Sequence, residues 1–391
     1  MARAGQLPLP KKCDLLACCK PKLMSTIVSD TVSVSPQPEA ARRDIRELTD
    51  EGLAAWLVEE GEKKFRAKQI REWLWQKGAT SFTEMTSLGK GLRQKMDSAF
   101  EIRPLQEDFR QNSADGTVKL RFRLFDGHLI ESVLIPVERD QRFTVCVSSQ
   151  VGCSLTCSFC ATGKMARVRN LTGAEIYDQV RLVNAVCEAQ YGRPLTNVVY
   201  MGMGEPLLAY APVMRSIELI TSPNGLGMSA RRLTISTAGI AKAIRRLATD
   251  ESKVNLALSL HAPTDAQRSE IMPINDSNNL EVLMDALEEY YRLTHNRISY
   301  EYIALRGFND SEEDAHALAN LCRRFPVRVN IIEYNPVAGD DWQKSEPHVI
   351  DRFARVLRER GVMVTVRRSR GKDIDAACGQ LANNNGAAAR A

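Results

Sequence analysis

The chain has 391 residues, of which 44% are hydrophobic and 26% charged, with a net charge of +5. That balance suits a globular protein with room for one barrel-sized domain and a smaller appendage; no apolar run reaches the length of a membrane span, so a soluble, non-membrane protein is expected. The mild positive charge is compatible with an RNA partner without establishing one, and ten cysteines are too few and too unevenly spread for a secreted disulfide scaffold.

Residues 1–43 mix Pro, Ser, Val and Lys without periodicity and read as a disordered tail, or as an artefact of start-site choice with Met24 as the true start. No secretory apolar core follows the first basic residues, and Asp14, Asp30 and Glu39 weigh against an organelle transit peptide. Cys13, Cys18 and Cys19 in this tail are expected to stand outside the chemistry. Residues 44–112 read as a helical, RNA-binding domain. Thr49 is its first N-cap, followed by Asp50 and Glu51; Leu53, Trp56 and Leu57 share one face, and Gly61 ends the helix. A second helix over residues 63–77 places Ile70, Trp73 and Leu74 at i, i+3, i+4. Its other face carries Lys63, Lys64, Arg66, Lys68, Arg71 and Lys77. Such a face is either merely solvated or a contact for RNA phosphates.

Residues 113–139 form a β-hairpin extension, with alternation over 118–124, a turn at Asp126-Gly127 and a return over 128–135. From 140 to 371, short β-rich runs alternate with helical stretches. The strand candidates are 144–149, 197–203, 232–237, 254–260, 299–304 and 329–334, with helices such as 173–189 and 280–293 between them. Such alternation means parallel strands with crossover helices. Six units are too few for a closed eight-unit barrel, so an α/β, open partial (β/α)6 barrel is expected, with ligands at the C-terminal strand ends.

After the first of these strands comes Cys153-Ser154-Leu155-Thr156-Cys157-Ser158-Phe159-Cys160, then Ala161-Thr162-Gly163. Three thiolates on one tight loop can hold three irons of a [4Fe–4S] cube and leave the fourth iron open. In radical S-adenosylmethionine (SAM) enzymes the amino and carboxylate groups of SAM take that place. A zinc knuckle would want four ligands, and the nearby sequence offers no fourth Cys or His. An exposed cluster loop also calls for a reducing compartment, so the cytoplasm is the expected location.

The later strand ends carry further candidates. Met201-Gly202-Met203-Gly204-Glu205-Pro206 follows the second strand; its glycines could leave main-chain groups open to the amino group of SAM, with Glu205 supporting that charge. Ser236, then Ser259-Leu260-His261, end the third and fourth strands with hydroxyls suited to a ribose or carboxylate. Asn335 ends the sixth, where an amide could read an adenine edge. Each alone also fits ordinary strand termination, but all fall on one rim. Cys187 and Cys322, inside helical stretches, read as small buried hydrophobes. Cys378 sits in a segment of small residues suited to a mobile loop, as a reactive thiol or an ordinary one. Cys146 lies on the strand feeding the cluster loop.

With these residues together, the chain resembles the RlmN family, radical SAM methyltransferases acting on C2 of adenosine in 23S ribosomal RNA and in transfer RNA. The resemblance runs from about residue 45 to 382. It rests on Cys146-Val147-Ser148-Ser149-Gln150-Val151-Gly152-Cys153, the cysteine triad, the 201–206 segment, and Arg370-Gly371-Lys372-Asp373-Ile374-Asp375-Ala376-Ala377-Cys378-Gly379-Gln380-Leu381. It implies that Cys378, in the C-terminal segment 372–391, carries a methyl group from one SAM, that Cys146 resolves the protein–RNA adduct, and that Glu131 is the proton acceptor. It further implies a second SAM for radical formation, a Cys146–Cys378 disulfide at the end of each turnover, and a reducing protein such as a flavodoxin or ferredoxin. The sister family that methylates C8 shares the cluster and both cysteines. Other radical SAM enzymes would need neither thiol as a pair, and a non-catalytic iron–sulfur or zinc RNA-binding module would release no deoxyadenosine.

Overall fold

The structure, a computed structural model, describes residues 42–383. Cys13, Cys18 and Cys19, and all but the last two residues of the tail expected at 1–43, lie outside the described residues.

Helix α1 (Asp50–Glu59) starts where expected, with the Thr49 side chain accepting the Gly52 N–H, and it buries Leu53 and Leu57 completely. Helix α2 (Arg66–Arg71) begins later than the basic periodicity suggested and passes into a π-helical turn, Glu72–Gln76. That wider turn carries an extra residue and rotates the residues beyond it. Trp75 therefore joins Ile70 and Leu74 in the core, whereas Trp73 stays half-buried beneath the Lys77 ammonium, 4.1 Å from its ring centre. Helix α3 (Lys90–Ala99) buries Leu92 and Met96. Arg46 fastens this region to the rest. Its guanidinium is buried between Asp44 and Asp178, at 2.9 and 2.7 Å. Both partners being carboxylates, the charge is compensated where removing one would strand it.

Ten strands then lie side by side in chain order. β1 (Gln106–Asn112), β2 (Val118–Arg123) and β3 (Leu129–Val137) form an antiparallel meander, and β3 pairs antiparallel with β4 (Arg142–Cys146). From β4 onward every pairing is parallel: β5 (Asn197–Tyr200), β6 (Leu233–Thr237), β7 (Asn255–Ser259), β8 (Ile298–Ala304), β9 (Val327–Glu333) and β10 (Met363–Arg367). The six expected barrel strands are present, mostly with trimmed C-terminal ends. Two edge strands are additional: β1 lies in residues read above as helical, and β10 continues the parallel sheet. Outer helices α4 (Gly173–Tyr191), α5 (Tyr210–Thr221), α6 (Ala241–Thr249), α7 (Asp265–Ile271), α8 (Leu280–Thr294), α9 (Glu312–Leu321) and α10 (Pro347–Glu359) complete the α/β layer. A capping box between Thr172 and Glu175 fixes the start of α4.

The strand faces divide the chemistry. On β8, Tyr300 reaches Met284 of α8 and Tyr302 stacks on Phe353 of α10, so the even residues meet the helices and the odd ones face the barrel interior. No helix among the described residues is long and apolar enough to cross a membrane.

Candidate active site

The C-terminal ends of β4 to β9 meet around one mouth, and the cluster loop emerges from β4. Cys153, Cys157 and Cys160 are all partly buried and pack against the small apolar group of Leu155, Phe159, Ile271 and Tyr334. Burial raises all three thiol pKa values; Cys160 and Cys153 add to the effect at Cys157, and Cys160 adds to it at Cys153, as thiols held close together must. Among the described residues no three His, Cys, Asp or Glu side chains converge on a single ion. A cube needs no such convergence, because each thiolate takes a different iron. The donor set, three neighbouring thiols on one loop at the mouth of a barrel, fits the cluster.

The Met201–Glu205 segment packs directly against residues 147–150. A Cβ on Gly202 would stand 2.7 Å from the Val147 carbonyl oxygen; one on Gly204, at φ +92°, would stand 2.4 Å from Gln150. The first demand on these glycines is close approach, and Gly202 N–H and Met203 N–H donate to Val147 O and Ser148 Oγ. The Gly202 and Met203 N–H groups are thus engaged within the protein, and it is the turn's carbonyl oxygens that an ammonium would meet. Glu205 is 3% exposed, and its two carboxylate oxygens accept the N–H groups of Leu207 and Ala238 at 2.9 and 2.7 Å. Burial outweighs these bonds and pushes its pKa up to about 7.

Ser236 and Ser259 come together across β6 and β7, Oγ to Oγ 3.3 Å. Leu260 is fully buried, and His261 adopts a left-handed φ of +58°. The His261 Nδ1 accepts the Ile303 N–H at 3.1 Å, so the neutral ring carries its proton on Nε2; its ring meets Phe159 of the cluster loop edge-on at 4.8 Å. Burial, then the Arg268 charge, lowers the His261 pKa to about 3. Asn335 is buried and directs Nδ2 at the Cys378 carbonyl oxygen, 3.4 Å away.

That bond is one of several that hold the C-terminal segment over the mouth. Ala161 N–H donates to Gly379 O at 2.7 Å, Thr162 Oγ1 to Leu381 O at 2.6 Å, and Gln380 to Pro336 O at 3.2 Å. From the opposite side, the β2–β3 hairpin receives the same segment. Lys119 reaches the Asp375 carbonyl, Arg121 reaches that of Asn383, and the buried Glu131 accepts the Ala382 and Asn383 N–H groups at 3.0 and 3.2 Å. Burial raises the Glu131 pKa, with Lys119, 3.6 Å away, opposing. Two cavities of about 160 and 290 Å³ open at this junction and share Pro336, Asp375 and Gln380 as walls.

Cys378 and Cys146 are both free thiols. Cys146, the last residue of β4, is buried; burial pushes its pKa up, and Cys378 is near enough to push it further. Cys378 is exposed at the mouth, yet enough protein surrounds it that burial still raises its pKa, Arg367 opposing and Glu301 reinforcing. Cys187 is buried as expected, while Cys322 is only partly so.

Three polar side chains of this region were not anticipated. Glu333 gathers Arg368, Lys372 and Lys344 at 2.6, 2.7 and 3.3 Å. Arg268, fully buried, donates to the carbonyls of Ala238, Ser259 and Leu260 and so ties the β6 and β7 ends together. Glu301 lies inside the barrel. The readable signal for Glu301 was a carboxylate inside an apolar strand; α7 offered none for Arg268.

The profile of the ribosomal RNA large subunit methyltransferase N-terminal domain matches residues 43–102. That of the Radical SAM superfamily matches 147–319, so the cofactors are a [4Fe–4S] cluster and SAM. Over 344 residues the chain is 50% identical to a probable dual-specificity RNA methyltransferase RlmN of Christiangramia forsetii, covering 88% of this chain and 97% of that one. A dual-specificity RNA methyltransferase RlmN of Anaeromyxobacter dehalogenans is 44% identical, covering 88% and 92%. The crystal structure of a radical SAM methyltransferase from Sphaerobacter thermophilus superposes with a TM-score of 0.81 at 40% identity, covering 87% of this chain and 99% of that one. With half its residues shared over nearly the full length of such a relative, the chain belongs to the RlmN family of radical SAM RNA methyltransferases.

Proposed function

We propose that this enzyme methylates C2 of adenosine in 23S ribosomal RNA and in transfer RNA through a methyl group carried on Cys378. The observation that carries the reading is the placement of the Cys378 segment. It is bonded to the cluster loop through Ala161 and Thr162, with Cys146 in electrostatic reach of Cys378. Cys153, Cys157 and Cys160 hold the cluster; Gly204, Glu205, Ser236, Ser259, Leu260, His261 and Asn335 bind SAM. When bound, these cofactors supply the methyl group and the radical chemistry that an electron-poor adenine carbon demands.

The protein's own groups do the rest. Cys378 must lose its proton to act as a nucleophile, and the Arg367 charge favours that loss against the burial that opposes it. Glu131 takes the proton released from C2; burial has already brought its pKa above the ordinary carboxylate range. Cys146 then attacks the Cys378 sulfur. With Cys146 deprotonated, the bond from the Cys378 sulfur to the carbon now joined to C2 breaks, and its electron pair stays on that carbon, which takes up a proton to complete the methyl group. A Cys146–Cys378 disulfide forms, and the methylated base leaves. A reducing protein such as a flavodoxin or ferredoxin returns two electrons to that disulfide.

Nucleoside mass spectrometry of RNA treated with the reconstituted enzyme tests the target: 2-methyladenosine is expected, and 8-methyladenosine would overturn the C2 assignment. Cys378→Ala is expected to carry no protein-bound methyl and to form no RNA adduct. Cys146→Ala should still be methylated at Cys378 and stall as a covalent protein–RNA species on denaturing gels. Identical behaviour of the two variants would sink the division of labour.

A further inference from the structure

Glu301 is a carboxylate 4% exposed in the barrel interior. One oxygen is fully committed: Oε1 accepts Ser299 Oγ at 2.9 Å and Asn330 Nδ2 at 2.8 Å. The other, Oε2, is buried and receives no hydrogen bond; the Arg367 Nη1 stands off at 3.6 Å, beyond bonding range. The side chain is therefore rigidly oriented with an open acceptor. A buried charged acceptor left unbonded costs free energy that the folded chain does not recover by itself. Such a group is either strain or a ligand contact, and its surroundings favour the second. In the sheet register Glu301 stands directly opposite Ser259, whose hydroxyl meets that of Ser236. Its own carbonyl receives the N–H groups of Leu260 and His261, so its backbone holds that loop in shape.

Position along the rim indicates the ligand. Under the proposed SAM site, on which this inference rests, the methionine end lies with Gly204 and Glu205 after β5, and the adenine end with Asn335 after β9. The sugar joins the two and must cross the strands between, which are β6, β7 and β8, the first two already contributing the paired Ser236 and Ser259 hydroxyls. A ribose presents two adjacent O–H donors, the natural complement of a fixed carboxylate oxygen. The geometry points to Glu301 as the acceptor for the ribose hydroxyls of SAM, a positioning residue held by Ser299 and Asn330. Arg367, at 3.6 Å, stands beside the carboxylate without occupying the oxygen that binds.

The test uses the full chain with its cluster reconstituted anaerobically and left oxidised, with no RNA present. Equilibrium dissociation constants are measured for SAM and for its 2′-deoxy and 3′-deoxyribose analogues. Wild type should bind SAM about 10-fold or more tighter than at least one analogue, the range expected for a hydrogen bond to a charged group. Glu301→Gln should weaken SAM by a similar factor while moving that analogue less than about 2-fold. Iron content and thermal midpoint establish that the variant is folded. Should Gln prevent cluster loading, Glu301→Asp, which keeps the charge but withdraws the oxygen by one methylene, serves in the same comparison. Equal weakening of SAM and analogue, or wild type indifferent to both hydroxyls, overturns the assignment. So does an unchanged SAM affinity with loss of Cys378 methylation, which would make Glu301 a base instead. Because no RNA enters the measurement, an error in the target carbon leaves this result untouched. Failure here with 2-methyladenosine still formed removes Glu301 alone.

Discussion

Glu205 and His261 stand at the same mouth and answer to pH in opposite ways. His261, lowered to about 3 by burial and the Arg268 charge, stays neutral throughout the working range. Glu205, raised to about 7 by burial, changes charge within it. If its carboxylate receives the SAM ammonium, SAM affinity should climb between about pH 6 and 8, with a midpoint near 7. Glu205→Gln should flatten that profile and weaken binding at pH 8; a wild-type affinity independent of pH would remove the contact. The same shift bears on stability. In the unfolded chain the carboxyl ionises near 4.5, whereas the folded state holds its proton up to about 7. Between those values the folded state binds more protons, so Glu205 makes the fold less stable as pH rises through that window, and the Gln variant should lose this dependence.

The elements carry different lessons about their charges. Of the basic residues counted on the second helix, Arg71 is buried and pairs with Asp50 at 2.9 Å, so it cannot reach RNA. Lys63, Lys64 and Lys68 are all exposed. Neutralising these three should weaken RNA binding and lower the salt dependence by about 0.7–0.9 for each phosphate no longer neutralised, with cluster content unchanged. An unaltered salt series would return this face to ordinary solvation. At the other end of the chain, burial would raise the pKa of Glu333, yet Lys372, Arg368 and Lys344 pull it down to about 2. Its stabilisation is complete above about 4.5 and is lost as pH falls towards 2. Limited proteolysis should therefore begin to cut near Lys372 only in that acid window, and Glu333→Gln should make the segment susceptible at neutral pH. The central strands were legible in the sequence because their apolar runs have no other home. Strands β1 and β10 were not, since as edge strands they expose much of both faces. The π-helical turn was hidden as well, because a single extra residue leaves no compositional mark.

At the scale of the whole described fold, the site is assembled by contacts no local pattern could announce. The thiol triad, the 201–206 turn and Cys378 were each readable from their own neighbours. The bonds that hold the C-terminal segment against the rest of the site, such as Glu131 to Ala382 and Asn383 or Thr162 to Leu381, span more than two hundred residues of chain. After β10 the chain crosses to the far end of the sheet, where Gly371 donates to Asp115 and Asp373 accepts from Ser113 and Ala114, next to the β1–β2 turn. Residues 371–383 thus strap the two edges of an open sheet and carry the reactive thiol on the strap. Glu131→Gln keeps the shape but removes the charge that holds two of its N–H groups, and each such charged bond contributes about 1.5–3 kcal/mol. Faster alkylation of Cys378 by a neutral thiol reagent is the expected result; an unchanged rate would mean that the remaining bonds suffice.

The strict sequential order of the ten strands has a kinetic consequence. Each strand docks beside the one made just before it, so no pairing in the sheet waits for a distant partner, and loop closure stays inexpensive at every step. The sheet can therefore grow by accretion during synthesis, and the loop of Cys153, Cys157 and Cys160 can be in place while Cys378 is still unmade. Iron could then be loaded before the most exposed of the described thiols arrives to compete for it or to pair wrongly with Cys146. A chain ending at residue 371 should accordingly take up its full complement of iron while accepting no methyl group.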